Sequence, residues 1–260
     1  MKRTYTDDEL IRRVWDVEDI KKLVYRRGVY QANEWREREL RELWVAGEDA
    51  KKTASFGRNT GFYVGMDAIY GYYVEQHARD RREQLAAIAA ADPAVENSDG
   101  NLNRGCLSSH PATTGLVELA GDGKTARALF YAIATETWAL PDGTARAIWA
   151  PEKLAFDFLK EDGQWRIWHL VAATDLTCEA GTDIHDQDPY PHYESDPVQL
   201  EFGTPTIPCI THDATFNWWD DYPPMPKPYD TFDPAEIYGP EGFRAPEVFQ
   251  FAGGEGRNYK

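Results

Sequence analysis

Phe158-Leu159-Lys160-Glu161-Asp162-Gly163-Gln164-Trp165-Arg166-Ile167-Trp168-His169 reads as the end of one strand, a tight turn and the start of the next. An Asp-Gly pair between two apolar alternations is the local chemistry of a hairpin, because both turn positions require positive φ. The same device recurs upstream. Gly121-Asp122-Gly123 separates Leu116-Val117-Glu118-Leu119 from a run over 126–140, and Pro141-Asp142-Gly143 separates that run from one over 145–159. The last run covers 164–176. Four consecutive strands joined by turns predict a sheet that is antiparallel or nearly so.

The residues before this block carry helical periodicity. Thr6-x-x-Glu9 and Asp16-x-x-Asp19 resemble helix starts, the former a capping box, and Val17, Ile20, Leu23, Val24 and Ala32 follow at helical spacing. A charged stretch over 34–45 places Leu40, Leu43 and Trp44 on one side. Ser55 to Gly65 reads as a glycine-punctuated loop. A long helix over 66–90 then carries Met66, Ile69, Tyr70, Tyr73 and Val74 as its apolar stripe, and Asp92-Pro93 closes it. Three helices followed by four strands predict an α+β fold, with the helices on one face of a curled sheet.

The 260 residues divide into two regimes. Residues 1–180 form the α+β body. Residues 181–260 hold 12 of the 16 prolines, 15 acidic and four basic residues, so this part carries −11 of the overall −16. Such a composition excludes helix interiors and central strands. Its 14 aromatic residues argue against a disordered linker, and an irregular arm covering the body or a neighbouring subunit is expected. The acidic excess excludes an electrostatic nucleic-acid binder. There is no run of 18 apolar residues and no secretory leader, which leads to the expectation of a cytoplasmic protein free of membrane. Cys106, Cys178 and Cys209 make no CxxC, as expected of reduced thiols.

Two apparent motifs dissolve on inspection. Gly121-Asp122-Gly123-Lys124-Thr125 lacks the first glycine of a phosphate-binding loop, since position 118 is Glu118. His185-Asp186-Gln187-Asp188 with His192 is an acidic histidine loop for which metal binding is the minor reading. No metal and no cofactor are expected.

In their order along the chain, several segments resemble the SnoaL-like and scytalone dehydratase-like proteins of the nuclear transport factor 2-like superfamily. They are Tyr30-Gln31-Ala32-Asn33-Glu34-Trp35, Val64-Gly65-Met66-Asp67-Ala68-Ile69, Ser109-His110-Pro111, and the two strand segments quoted above. The resemblance covers about residues 10–178 and implies a cone-shaped curved sheet packed on three N-terminal helices, with a pocket between sheet and long helix. It also implies cofactor-independent dehydration, isomerisation, cyclisation or hydration of small hydrophobic molecules. Tyr30 and Trp35 match the pattern at the end of the first helix, but Gln31 stands where the family has an aspartate, and an amide cannot take a proton. His110 matches a recurrent acid/base, and His169 a histidine of a subset with the same Trp-x-Ile-Trp-His run.

The catalytic candidates are therefore His110, His169 and Tyr30, the histidines because imidazole exchanges protons near neutrality. Tyr25, Arg58, Asn59, Phe62, Tyr63, Met66, Tyr70 and Trp168 are the candidates for substrate contact, with core packing or solvated loop as their plainer reading. Asp157 is the in-sheet carboxylate, for which strand-edge solvation is the plainer reading. The expected activity is a lyase eliminating water, formaldehyde or both from a small phenolic substrate. Within the superfamily the nearest resemblance is to enzymes that convert lignin-derived diarylpropane diols to stilbenes. Alternatives are a dehydratase, isomerase or epoxide hydrolase on the same fold, or a non-catalytic binding or assembly module. A homo-oligomer, dimer or trimer, is expected, with outward aromatics such as Trp149 on the sheet as its contact.

Overall fold

In the computed structural model the described residues are 4–58, 61–140, 144–175, 177–182 and 223–242. Helix α1 (Asp7–Ala32) begins at Thr6, whose hydroxyl accepts from the Glu9 amide while the Glu9 carboxylate accepts from the Thr6 amide. This is the reciprocal capping predicted there. Asp16 starts nothing: it lies inside α1, where its carboxylate accepts from Lys160 Nζ at 2.6 Å and Trp165 Nε1 at 2.9 Å. A turn through Glu34, at φ 56°, leads into α2 (Arg36–Leu43), and α3 (Glu48–Thr53) follows.

The glycine-punctuated segment is not a loop. It forms β1 (Ser55–Arg58) and β2 (Gly61–Val64), an antiparallel pair. Gly57 is needed because a Cβ there would stand 2.7 Å from the Phe62 ring across the ladder. The long helix is present with an interruption: α4 (Met66–Tyr70) passes through a π-helical turn (Gly71–Gln76) into α5 (His77–Ala91). Such turns are frequent at functional sites, and this one carries Tyr72 and Tyr73.

The sheet contains β3 (Leu107–Ser109), β4 (Ala112–Leu119), β5 (Thr125–Ala139), β6 (Ala145–Glu161), β7 (Gln164–Thr174) and β8 (Cys178–Glu179). Its order is β2-β1-β7-β6-β5-β3, with β4 also on β5 and β8 on β6. Among the described residues every pairing between these strands is antiparallel except β1 with β7. The β6–β7 connection is the two-residue Asp162-Gly163 turn, both at positive φ, 48° and 78°. The fold is thus α+β, with a curved sheet beneath N-terminal helices.

Side-chain parity along β5 and β6 separates two faces. The face toward the helices carries Ala128, Phe130, Leu154 and Phe156, packed with Ile20, Leu23, Val24 and Phe56. The opposite face carries Leu129, Ala155, Val171 and Ala173 with Phe62, and Tyr238 from the C-terminal residues closes it. Residues 223–242 cross this outer face. Gly121 and Asp122 amides donate to Tyr229 and Asp230 carbonyls, the Arg127 guanidinium lies 4.2 Å from the Tyr229 ring centre, and the Tyr238 amide donates to Asp157 at 2.6 Å. Asp157 is therefore buried, not solvated at a strand edge. The rest of the 181–260 region, the His185–His192 loop included, lies outside the described residues.

Gly115 sits against the face of Phe130, where a Cβ would come within 2.2 Å of the ring. Gly115→Ala is expected to cost about 1–3 kcal/mol by displacing this ring, read as a lower denaturant midpoint at unchanged m.

Candidate active site

On the helix-facing side, small residues Ala132, Ala134 and Ala150 are buried beside two glutamates of the same parity, Glu136 on β5 and Glu152 on β6. His110, in the short connection between β3 and β4, is inserted between them. Its Nδ1 is 2.8 Å from Glu152, and its Nε2 is 3.1 Å from both Glu136 and the Ser108 hydroxyl. The two carboxylates meet opposite edges of the ring, so these donors do not converge on a common point. Among the described residues no group of three His, Cys, Asp or Glu side chains is placed to hold a metal ion.

Burial disfavours the charged imidazole, but the carboxylates of Glu152 and Glu136 outweigh it and hold His110 up at about 9. Burial likewise opposes ionisation of Glu136, and here the His110 hydrogen bond and charge, with Arg58 and Arg36 behind them, bring its carboxyl below the usual range. At neutral pH the arrangement is an imidazolium between carboxylates, ready to give a proton.

A second buried cluster faces it from the helices. Glu39 of α2 is fully buried, and Arg27 Nε of α1 lies 3.2 Å from it. The Tyr73 hydroxyl stands 3.1 Å from each oxygen of Glu39, and Trp44 Nε1 donates at 3.4 Å. Gln31 Nε2 donates to both Glu39 and the Tyr73 hydroxyl. Burial, together with the Glu39 charge, pushes the Tyr73 hydroxyl up against the opposing pull of Arg27, so it stays protonated. Gln31 therefore does not leave the cone without a carboxylate: its amide binds one supplied by the next helix. Glu34 is held by His77 at 2.7 Å and by Arg36 at 2.9 Å.

The predicted residues are dispersed by the fold. His110 and Arg58 belong to the helix-facing side, where Arg58 donates to the Tyr72 hydroxyl at 2.7 Å and Tyr63 stacks on Tyr72 at 4.0 Å. Met66 is partly buried against the same core. Tyr30 is buried, but its hydroxyl donates to Glu42 at 2.6 Å, away from His110. Tyr25 is half-exposed on α1 with its edge on Phe130, and Tyr70 is exposed.

His169 belongs to the opposite face. Its Nδ1 is 2.9 Å from Asp157, its Nε2 meets the Thr53 carbonyl at 3.1 Å, and Gly239 of the C-terminal residues packs on its ring. Trp168 stacks on His169 and touches Phe232, and Phe62 is on this side too. His169 and Phe62 cannot line one pocket with His110, because a β-sheet lies between; Trp168, the extra residue of β7 at the bulge, also packs against the helix-facing cluster. Asn59 is outside the described residues. The two described cavities, of about 330 and 320 Å³, are surface hollows beside Arg82 and Leu102 and beside Trp35 and Arg38.

Sequence reasoning missed Glu136, Glu152, Ser108, Glu39 and Arg27, and read Tyr73 as plain apolar stripe. For the two strand glutamates a signal existed: each sits in the phase of buried alanines along its strand. For Glu39 there was none, since Arg36-Glu37-Arg38-Glu39 has the composition of an exposed helix.

The model of the SnoaL-like domain family matches residues 12–171, and the chain belongs to this family. No curated protein matches the chain. Similar solved structures include an NTF2-like protein with a cystatin-like fold from Novosphingobium aromaticivorans, with 18% identity, TM-score 0.40, and coverage of 66% of this chain and 92% of that one. A provisionally named scytalone dehydratase from the same organism has 10% identity, TM-score 0.46, and coverage of 66% and 91%. A hexachlorocyclohexane dehydrochlorinase from Novosphingobium barchaimii has 12% identity, TM-score 0.43, and coverage of 66% and 94%. The assignment rests on the family match. Among the described residues no helix is long and apolar enough to cross a membrane.

Because His110 is raised from 6.5 to about 9 in the folded protein, its contribution to stability is complete below about pH 6.5 and is lost as pH rises through 9. Glu152→Gln is expected to bring the His110 titration, followed by NMR, down toward 6.5 and to flatten this part of the stability profile.

Proposed function

We propose that the protein is a cofactor-independent lyase in which His110 is the proton donor, acting on a small phenolic molecule. The observation that carries this reading is the buried imidazole with Glu152 on Nδ1 and with Nε2 toward Glu136 and Ser108. The Nδ1 contact orients the ring, and the flanking carboxylates keep it charged at neutral pH. Tyr73, Arg27 and Arg58 supply the donors and positive charge that would favour a phenolate oxygen.

For a diarylpropane diol the steps balance as follows. The Nε2 proton passes to the departing benzylic hydroxyl, which leaves as water while the phenol loses its proton to solvent and the ring becomes a quinone methide. The now neutral His110 takes the proton of the terminal hydroxyl. The adjacent carbon–carbon bond breaks and formaldehyde departs; the pair of the broken bond forms the stilbene double bond, the ring becomes a phenolate, and solvent returns its proton. Simple dehydration uses the first half of this sequence. This reading gives His169 and Tyr30 no part: His169 lies on the opposite face beside Asp157, and the Tyr30 hydroxyl donates to Glu42. The reading includes a cytoplasmic setting and lignin-derived aromatics as substrates.

A second reading is favoured by the mutual bonding of Arg27, Glu39, Gln31 and Tyr73: these charges serve packing, and the domain binds or assembles without turnover. Incubation with a panel of lignin-derived diaryl diols, assayed for formaldehyde and stilbene absorbance, separates the two. Turnover is expected to fall by about 10²–10⁴-fold in His110→Gln and to persist in His169→Gln. A silent panel, or equal activity in His110→Gln, defeats the lyase reading.

A further inference from the structure

Helix α1 turns one face to the core, and the fold engages the opposite side where the Tyr25 ring edge meets Phe130. Ile20, Val24 and Arg27 point to the core. At 100° per residue, Ile11, Trp15, Glu18, Lys22, Tyr25 and Val29 cluster on the diametrically opposite side, each separated from the next by four or three residues in alternation. All six are exposed; Ile11 is 56%, Trp15 60%, Tyr25 48% and Val29 54% accessible. A four-three alternation is the repeat by which one helix lies along another.

The order of these six residues identifies the partner. About a midpoint at residue 20 the seam matches itself when reversed: Ile11 stands opposite Val29, Trp15 opposite Tyr25, and Glu18 opposite Lys22. We propose that this seam is an interface between two copies of this chain, paired antiparallel along α1 about a two-fold axis. Two Glu–Lys layers form its centre, two aromatic layers flank them, and two aliphatic layers close the ends. An unrelated partner helix would have no reason to require a pattern that is its own complement, whereas an isologous contact does.

The present engagements of the central charges do not oppose this. Glu18 holds Lys21 at 2.9 Å and Lys22 holds Asp19 at 3.3 Å, both exposed pairs one turn apart that contribute little and can exchange. The Lys22 ammonium also lies 5.6 Å from the Trp15 ring centre, next to where the partner's aromatic residue would arrive. The seam runs for about 27 Å along the helix. It lies on a different element from the outward sheet residues Tyr131, Ile133 and Trp149, which are also exposed.

The test is sedimentation velocity of the full chain over a range of concentrations, for the wild type, Glu18→Lys, Lys22→Glu and the double reversal. The substituted positions are exposed, so folding is retained and is checked by circular dichroism. Each single reversal places like charges opposite one another in both central layers, and about a tenfold or greater weakening of self-association is expected. The double reversal restores opposite charges and is expected to recover the wild-type constant. A wild type that remains monomeric throughout, association indifferent to the single reversals, or a double reversal no stronger than either single one overturns the proposal.

Discussion

Strands β5 and β6 pair without a break from Thr125↔Leu159 to Ala139↔Ala145, and this ladder assigns every residue of both strands to one face or the other. Because side chains alternate strictly, a slip of one residue would exchange the two faces completely. In the observed register Phe130 and Phe156 face the helices, while Leu129 and Ala155 face the C-terminal residues. The same register brings Glu136 and Glu152 inward beside small alanines, and Asp157 outward. Both charged groups and both apolar layers follow from one pairing.

Inward glutamates must find partners, because an isolated buried carboxylate is costly. His110 provides one, and it is held in turn by two carboxylates that make its charged form the stable one. Across the cone Glu39 is answered by Arg27, Tyr73, Gln31 and Trp44. Such clusters stabilise little in net terms, since desolvation offsets attraction, but they fix positions closely. That positioning is what the proposed proton transfer by His110 would use: an imidazolium, a protonated phenol and two guanidinium groups are held in fixed places. Asp157 does comparable service on the outer face, joining His169, the Tyr238 amide and, at 3.8 Å, Arg127.

Turn chemistry, capping and periodicity were enough to read α1, the long helix and the four main strands, because each depends on residues adjacent in the chain. Asp162-Gly163 and Thr6-x-x-Glu9 are the clearest cases. The reading failed where distant segments made the choice. Ser55–Arg58 and Gly61–Val64 form two strands because Ser55–Arg58 can pair in parallel with β7, a contact across more than a hundred residues. His169 read as a second candidate beside His110 because strand periodicity does not say which of two buried faces is the one beneath the helices. The β-bulge between Asp157 and Phe158 shifts that phase further. Tyr30 matched a motif, yet Tyr73 is the hydroxyl that meets the buried carboxylate.

The sequence by itself determined the main helices and the four long strands, the α+β order and the resemblance to the family, since hairpin turns, helix caps and the Ser109-His110-Pro111 segment are local signals. Only the tertiary structure decided which charges are buried together. Glu39, Glu136 and Glu152 are buried with partners 5 to 42 positions away, and burial, unlike turn propensity, is a property of the assembled faces.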